Sequence, residues 1–196
     1  MSSAASHLAE PPRRRLSERQ AEVVRRLTDA ATEEIRAHGY DRLTVRRVAA
    51  RAGVAPATAY TYFASKDHLI AETFWRRVRA LGEPRIDRRK GAAARVSEAL
   101  RDLTRLLAAE PALASASTTA MLAADPDVAH IRDRVGAEIR RRLAATLGDD
   151  DGEAILGALE LTVAGAMIQA GTGHLSYAEL PDRVADVAAL LLRGRR

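Results

Sequence analysis

The chain has 196 residues, no cysteine and a formal net charge of +5. Without cysteine it has no disulfide framework, no cysteine-ligated zinc site and no thiol nucleophile. Hydrophobic residues make up 47% of the chain and aromatic residues 4%. These values exclude a largely disordered chain and argue against a strand-rich sandwich or barrel, while the many Ala, Arg and Leu residues favour an all-α fold.

The positive charge lies entirely in the first part of the chain. Residues 1–80 contain 15 Lys and Arg against 9 Asp and Glu, whereas residues 81–196 contain 16 against 17. This asymmetry predicts an anionic partner for the first part, and nucleic acid is the leading candidate. A solvated basic surface without a partner is the alternative.

The sequence argues against export and membrane insertion. Residues 1–12 lack the apolar core of a signal peptide. The most hydrophobic segment, residues 154–170, is shorter than a bilayer requires and contains Glu160 and Gln169. We therefore expect a cytoplasmic protein with no membrane partner, and a buried helix in this segment.

Helix signals begin after a flexible basic arm at residues 1–16. Ser17 and Gln20 form a capping-box pattern before apolar residues at helical spacing, and Gly39 marks the end of this first helix. The next three helices begin with Thr44 as an N-cap, with Pro56 at a first helical position and with Ser65 as an N-cap. They are predicted to span about residues 45–52, 56–63 and 66–81.

A boundary at residues 82–84 separates these helices from five further ones, and no internal repeat is present. Asp125 is predicted to cap the third of the five, and residues 149–151 to open the fourth. Ser176 and Glu179 form a capping box before the last, and Pro181 allows a later start. The five helices are predicted over about residues 91–109, 111–124, 126–147, 152–171 and 177–193.

The short helices around Gly53 form a helix-turn-helix arrangement. A helix ends at Gly53, a tight turn follows, and a second short helix begins at Pro56. The N-terminal end of this second helix, over residues 56–62, can enter a DNA major groove.

Residues 44–74 also carry a specific sequence pattern. A Thr precedes the second helix, residues 48–54 read Val-Ala-x-x-Ala-Gly-Val, and residues 60–63 read Tyr-x-Tyr-Phe before a Ser-Lys pair. Within residues 17–75 this pattern resembles the TetR family of bacterial transcriptional regulators. Ala55 and Ala57 depart from it, because the family often has Ser and Gly there, so no operator sequence can be transferred from a relative.

The resemblance implies an all-α protein of two parts. A three-helix DNA-binding domain covers residues 17–64 and a connecting helix residues 65–82. A larger ligand-binding and dimerisation domain of helices covers residues 83–196. The partners implied are a double-stranded DNA operator, a second copy of the chain and a small-molecule effector.

Nine residues are predicted to contact DNA. Thr44 is expected at a phosphate, because a helix start attracts anions, and a cap alone is the alternative. One of Arg46 and Arg47, in the first turn of the same helix, is expected to face the DNA backbone, and Arg46 is the residue chosen. Thr58 is expected at a base edge or a thymine methyl group, with short contacts from its neighbours. The full set is Thr44, Arg46, Pro56, Ala57, Thr58, Tyr60, Thr61, Tyr62 and Lys66.

The two tyrosines and the lysine are assigned by the resemblance. It implies that Tyr62 and Lys66 bind phosphates and that Tyr60 reaches the backbone or a base. On a helix the two tyrosines cannot share a face. The alternatives are that one tyrosine packs in the core beside Phe63 and that Lys66 is simply solvated.

The second domain is predicted to bind an apolar effector. Of the seven aromatic residues, only Tyr177 follows Trp75, so we expect a cavity lined by aliphatic side chains. Residues 110–126 loosely resemble actinobacterial TetR-type regulators of lipid and steroid breakdown, which implies an acyl or sterol-like effector. Ordinary packing is the alternative for each predicted ligand-binding residue: Leu103, Leu107, Thr119, Met121, Leu122, Thr162 and Met167.

The last two long helices carry more apolar surface than one small core needs. The resemblance implies that they form a four-helix bundle with a second chain. A dimer would set two recognition helices about one helical turn apart, which suits a palindromic operator. The predicted interface residues are Ile155, Leu159, Val163, Val184, Val187 and Leu191.

An enzyme is not expected. The sequence has no P-loop, no Gly-x-Ser-x-Gly elbow and no His-Glu-x-x-His motif. Asp125, Asp127 and His130 could be taken for metal ligands, but a helix cap explains the aspartates more simply, and we expect no metal or cofactor. The resemblance implies a ligand-responsive repressor, and the sequence leaves activation open. A ligand-independent architectural DNA-binding protein is the alternative.

Overall fold

The computed structural model describes residues 18–147 and 152–193, and within these ranges it contains nine α-helices and no β-strand. The predicted all-α fold is therefore confirmed. The basic arm, Ser17 and the acidic turn at residues 149–151 lie outside the described residues. The helices are α1 (Glu18–His38), α2 (Val45–Ala52), α3 (Pro56–Tyr62), α4 (Lys66–Ala80), α5 (Ala92–Ala109), α6 (Pro111–Met121), α7 (Pro126–Ala144), α8 (Gly152–Gly171) and α9 (Leu180–Leu191).

Local signals fix most helix ends. Thr44 caps α2, Ser65 caps α4 and Asp125 caps α7, each by accepting a hydrogen bond from a backbone N–H of the first turn. Gly53 ends α2 in the left-handed region with φ 61°, where a side chain would be strained. Helix α3 has no side-chain cap at Ala55, as its sequence predicts.

Three predicted ends differ from the structure. The ends of α6 and α7 come earlier, because their last residues tighten into turns in which an N–H bonds the carbonyl three residues back. The capping box of Ser176 and Glu179 forms, with Ser176 N donating to Glu179 Oε2 at 3.0 Å. It closes a turn ahead of α9 instead of the first turn of the helix, which begins at Leu180 with Pro181 in its first turn.

Three apolar clusters form the core. The first packs α1, α2, α3 and the start of α4, together with Leu113, Ala116 and Ala120 of α6. The second joins α4, α5, α6 and α7, and the third joins α5, α7, α8 and α9. Helix α6 can approach α8 closely, because a Cβ atom on Gly171 would lie 2.6 Å from Thr118 Cγ2.

Helix α4 belongs to two of these clusters. Leu69 and Ile70 pack in the first, while Phe74 and Trp75 pack in the second beside Tyr177. The sequence predicts a cavity lined by aliphatic side chains, but Phe74 borders the cavity of this region, so that expectation is wrong. Neither Phe74 nor Trp75 is expected there from the sequence, because both lie in the connecting helix, one face of which packs into the second cluster.

A buried arginine holds the far end of α4. Arg142 of α7 is fully buried, and its Nη2 donates to the Gly82 carbonyl at 2.9 Å. Its Nε donates to Glu138 Oε1 at 2.7 Å, which compensates the buried charge. The segment that follows α4 is thus fixed to the end of α7.

Candidate DNA-binding surface and effector domain

Helix α3 exposes nearly all of its surface. Only Ala59 is buried, against the first cluster, and the Tyr60 side chain is 52% exposed. Tyr62 is half-buried and packs against the same cluster. The exposed residues match five of the predicted DNA contacts, namely Pro56, Ala57, Thr58, Tyr60 and Thr61.

An arginine of α1 braces the turn between α2 and α3. Arg26 Nη2 donates to the Gly53 carbonyl at 3.1 Å and also to the Ala52 carbonyl. A guanidinium that holds two consecutive carbonyls fixes the backbone of this turn. The angle between α2 and α3 is therefore set by α1, a contact that no local pattern predicts.

Thr44, the N-cap of α2, and Arg46 in its first turn are both exposed to solvent. Arg47 and Arg51 instead turn back to Glu34 of α1, with N···O distances of 3.1 Å and 2.7 Å. Burial raises the pKa of Glu34, but the hydrogen bonds from Arg51 and Arg47 outweigh it and the pKa is lowered. Arg46 makes no hydrogen bond or ion pair with the described part of the chain and is exposed.

Lys66 is held over an aromatic ring at the start of α4. Its Nζ lies 4.2 Å from the centroid of the Tyr40 ring and donates to the Tyr40 carbonyl at 3.3 Å. The Tyr40 hydroxyl donates to Asp67, and burial together with this bond raises the pKa of Tyr40. An ammonium group has three donors, so Lys66 keeps donors for an anion while its position is fixed. Sequence reasoning missed Tyr40, whose only signal is an aromatic residue beside Gly39.

The exposed side chains of α3, together with Thr44, Arg46 and Lys66, are suited to binding DNA. Their exposed groups are methyl groups, hydroxyls and cations, which suit phosphates and thymine methyl groups. No cluster of three or more metal-ligating side chains occurs among the residues that the structure describes.

Known proteins are similar to this chain in both sequence and fold. The family model for bacterial regulatory proteins of the tetR family matches residues 27–73. An uncharacterized HTH-type transcriptional regulator of Mycobacterium tuberculosis is 45% identical over 179 residues, which cover 90% of this chain and 83% of that protein. The chain belongs to the TetR family.

Two further similarities agree with this membership. The HTH-type transcriptional repressor KstR of Mycolicibacterium smegmatis is 34% identical over 145 residues, covering 69% of this chain and 68% of the repressor. The crystal structure of a TetR transcriptional regulator from Rhodococcus sp. RHA1 superposes with a TM-score of 0.71 at 23% identity, covering 91% of this chain and all of that one. As a TetR-family protein the chain is a DNA-binding transcriptional regulator and not an enzyme.

The predicted effector residues are only partly brought together. Leu103 and Leu107 are buried in the second cluster, with Met121 and Met167 at its edge. Thr119 and Leu122 are exposed on α6, and Thr162 donates to a carbonyl of its own helix. Three of the seven therefore lie apart from the other four.

The cavity nearest to these residues has almost no free volume. It measures about 10 Å³ and lies where α4, α5 and α6 meet, next to Phe74, Leu107 and Ala114. A much larger surface cleft of about 650 Å³ is lined chiefly by charged residues, among them Arg85, Glu98 and Arg101. An apolar effector would have to enter the second cluster by displacing side chains.

Trp75 leaves a donor without a partner in the second cluster. Its Nε1 is buried and has no hydrogen-bond partner within the described residues. The hydroxyl of Tyr177 in the same cluster meets only Thr118 Oγ1, at 3.4 Å, and burial raises the pKa of Tyr177. Because Trp is a donor only, this cluster offers a hydrogen bond to an acceptor atom. Neither residue is among the predicted effector residues, because Trp75 lies in the predicted connecting helix and Tyr177 lies at the start of the last predicted helix, ahead of its periodic apolar residues.

The predicted dimer residues lie mainly inside the single chain. Ile155, Leu159, Val163 and Val184 are buried in the third cluster, where α8 packs on α7 and α9. Their side chains are thus covered within the single chain, and a contact of these four residues with a second chain stays a prediction. Val187 is half-buried and Leu191 is exposed.

The other face of α8 is apolar and exposed. Leu161 is 77% exposed and Ile168 is 47% exposed, with Leu190 and Leu191 of α9 also exposed. By length and composition residues 153–171 of α8 could cross a membrane, but a helix of a soluble protein that is apolar on both faces gives the same signal. In a TetR-family protein we attribute the signal to packing.

Proposed function

We propose that this protein is a ligand-responsive repressor that binds a palindromic operator as a homodimer and acts in the cytoplasm. The observation that carries the proposal is the exposed face of α3, held in place by Arg26 and flanked by Arg46 and Lys66. Similarity to the repressor KstR supports repression as the outcome of DNA binding.

Each exposed group has a proposed role on DNA. Thr44, Arg46 and Lys66 bind phosphates and set the position of the protein on the duplex. Pro56, Ala57 and Thr58 approach base edges, with Thr61 beside them. Tyr60 projects outward and reaches the backbone or a base, while half-buried Tyr62 offers its hydroxyl to a phosphate.

Few long polar side chains are available on α3 for reading bases. We therefore propose that readout of DNA shape contributes to specificity, and that the arginines of residues 13–15 enter a minor groove. The domain boundaries of the sequence analysis are retained in this proposal, with residues 65–82 as the connecting helix.

The dimer is proposed to form through the exposed face of α8 and the end of α9. This apolar surface consists of Leu161, Ile168, Leu190 and Leu191. Burying it in a contact would stabilise the dimer by about 25 cal/mol per Å² of apolar area removed from water. Gly165 lies on this face with nothing within 4 Å of an added Cβ, so a second helix can approach closely. The symmetric contact would pair two copies of this surface.

The effector is proposed to be an apolar molecule that carries a hydrogen-bond acceptor. The second cluster supports this class, because its packing is apolar while Trp75 offers an unpaired N–H. An acyl or sterol-like compound has both features. Met121 and Met167 at the edge of the cluster are flexible side chains that can repack around such a molecule.

The effector would act through α4, which packs in both cores. A molecule inside the second cluster displaces Phe74 and Trp75, shifts α4 and changes the separation of the two recognition helices. The effector can alter DNA occupancy only through its different affinities for the two arrangements.

The decisive experiment is a selection of duplex DNA from a random pool by the purified protein, followed by titration at two salt concentrations. A palindrome with half-sites about one turn apart supports the proposal. Salt-sensitive binding without an enriched sequence favours a ligand-independent architectural DNA-binding protein and contradicts the proposed operator.

A further inference from the structure

The helices α4 and α7 are parallel neighbours whose N-caps are joined to each other. Ser65 caps α4 by accepting from His68 N at 3.0 Å, and its hydroxyl donates to Asp125 Oδ2 at 2.7 Å. Asp125 Oδ1 caps α7 by accepting from the backbone N–H of Asp127 at 2.9 Å and of Val128 at 3.4 Å. The Asp125 carboxylate thus caps α7 and at the same time accepts a hydrogen bond from Ser65, the N-cap of α4.

A second contact lies beside this bond. His68 Nδ1 lies 3.6 Å from Asp127 Oδ2 and is buried without a hydrogen bond in the described part of the chain. The His68 ring packs edge-on against Phe63, with ring centroids 5.4 Å apart. Phe63 is the C-cap of α3. The start of α7 is therefore linked to the end of the recognition helix through Ser65, the N-cap of α4, and through His68 in its first turn.

The position of this link matters for DNA contacts. Only residues 63–65 separate α3 from α4, so the start of α4 fixes the end of α3. Lys66 follows Ser65 directly, and its ammonium is the proposed phosphate contact. A displacement of α7 would move both through the Ser65–Asp125 bond, while the arginine at the other end of α7 holds the far end of α4.

We propose that Asp125 is a positioning residue for DNA binding: from the second domain it fixes Ser65, and thereby the end of α3 and Lys66, in the DNA-binding arrangement. This inference rests on the proposed function for its effect on DNA. The geometric part stands on the protein alone. The hydrogen bond from Ser65 lowers the pKa of the Asp125 carboxyl, so at neutral pH the group is ionised and can accept at both oxygens.

The test compares two substitutions that both retain the cap on α7. Ser and Asn are good N-cap residues, so neither Asp125→Ser nor Asp125→Asn should remove it. The single short hydroxyl of a serine is used by the cap and does not reach Ser65. An asparagine caps with Oδ1 and donates from Nδ2 to Ser65 Oγ, which has a second lone pair free.

The DNA readout uses a labelled duplex selected from random DNA by the wild-type protein. Asp125→Ser is expected to weaken its affinity about fivefold, the scale of one lost hydrogen bond, while Asp125→Asn stays near wild type. Glu110→Gln is the matched control, because it removes an ion pair between α1 and α6, with Arg36, and leaves the start of α4 intact. It should leave DNA affinity unchanged.

A second readout needs no DNA. Hydrogen exchange at the backbone amides of residues 66–69 should quicken in Asp125→Ser but not in Asp125→Asn or Glu110→Gln. Equal exchange and equal affinity in the two Asp125 variants would overturn the inference. A wild-type protein that selects no DNA sequence would instead contradict the proposed operator, and the exchange comparison would still decide whether Asp125 positions α4.

Discussion

The first three helices, α1 to α3, and the region formed by the helices that follow them differ in how completely their buried polar side chains are paired. Three buried side-chain atoms lack a hydrogen bond among the described residues: His68 Nδ1, Trp75 Nε1 and Arg142 Nη1. None lies in α1, α2 or α3, where Arg26 and Glu34 bind their partners across helices. All three lie on α4 or α7: Trp75 packs in the second cluster, His68 packs against Phe63 of the first cluster, and Arg142 lies near the end of α7. A fully paired core keeps one arrangement, whereas unpaired donors leave a core able to accept another group.

A substitution on the exposed face of α8, which belongs to the second region alone, should have the largest effect on DNA affinity, because it should separate the two chains. Leu161→Glu places a charge in the proposed dimer contact and should convert the dimer to a monomer. Losing one half-site contact should lower DNA affinity at least about 100-fold, because avidity from two linked sites reaches 10²–10⁴. Sedimentation and DNA titration measure the two effects.

Leu122→Glu is the control for this substitution. Leu122 is the C-cap of α6 and is 67% exposed, and it belongs to neither α8 nor α9. This variant should remain dimeric and bind DNA like the wild type. A monomer in both variants, or in neither, would contradict the assignment of the interface to α8.

Lys66 tests the first region with a smaller effect. Lys66→Ala should weaken binding to all DNA sequences by about tenfold and lower the salt slope by about one unit, because one phosphate contact is lost. Lys90→Ala is a matched control, since Lys90 is the other lysine of the chain and pairs with Glu98. An unchanged salt slope in Lys66→Ala would show that Lys66 does not bind a phosphate.

The first region could be predicted from sequence almost residue by residue. Thr44, Gly53, Pro56 and Ser65 each determine a helix end through their own side chain or backbone, so the signal is local. What local signals could not give are the long-range contacts, such as the bond from Arg26 to the turn at Gly53. Those depend on how α1 packs across the two helices.

The second region resisted prediction for a physical reason. Helix α8 is apolar around its whole circumference, so periodicity does not distinguish the buried Leu159 from the exposed Leu161. Only the packing of α8 against α6, α7 and α9 decides which stripe faces inward. The same limit applies to Trp75, because a helix shared between two cores cannot be assigned from its place in the sequence.

Substituting Trp75 by Phe tests the second core, and it should hardly change the free energy of unfolding. Trp75→Phe loses packing but also removes an unpaired buried N–H, and these effects should offset each other to within about 1 kcal/mol. Urea unfolding measures this balance. Phe74→Leu is the comparison, because it loses packing without removing an unpaired donor and should destabilise the protein more.

The effector class can be tested at the same residue. Trp75 is the only tryptophan, so its fluorescence reports directly on its surroundings. A methyl ketone of ten carbons should shift that fluorescence at lower concentration than the alkane of equal length, because only the ketone offers an acceptor. Equal responses to the two probes would contradict a hydrogen bond from Trp75.

The smallest expected effect is a pH dependence that belongs to the first core. The Glu34 pKa is lowered in the folded protein from an ordinary value of 4.5, so near that pH the unfolded chain binds more protons than the folded one. The stabilisation from Glu34 is therefore complete at neutral pH and is lost as the pH falls through the folded pKa. In urea unfolding, Glu34→Gln should cost stability at pH 7 and progressively less as the pH falls below the ordinary value of 4.5, because the carboxylate then becomes protonated first in the unfolded wild-type chain and, at still lower pH, in the folded one. Glu22→Gln is the control on the same helix, since Glu22 is exposed and pairs only along α1 with Arg25, and such pairs contribute little. If both variants lost the same stability at every pH, the paired first core would owe nothing specific to Glu34, and the contrast with the second core would rest on apolar packing alone.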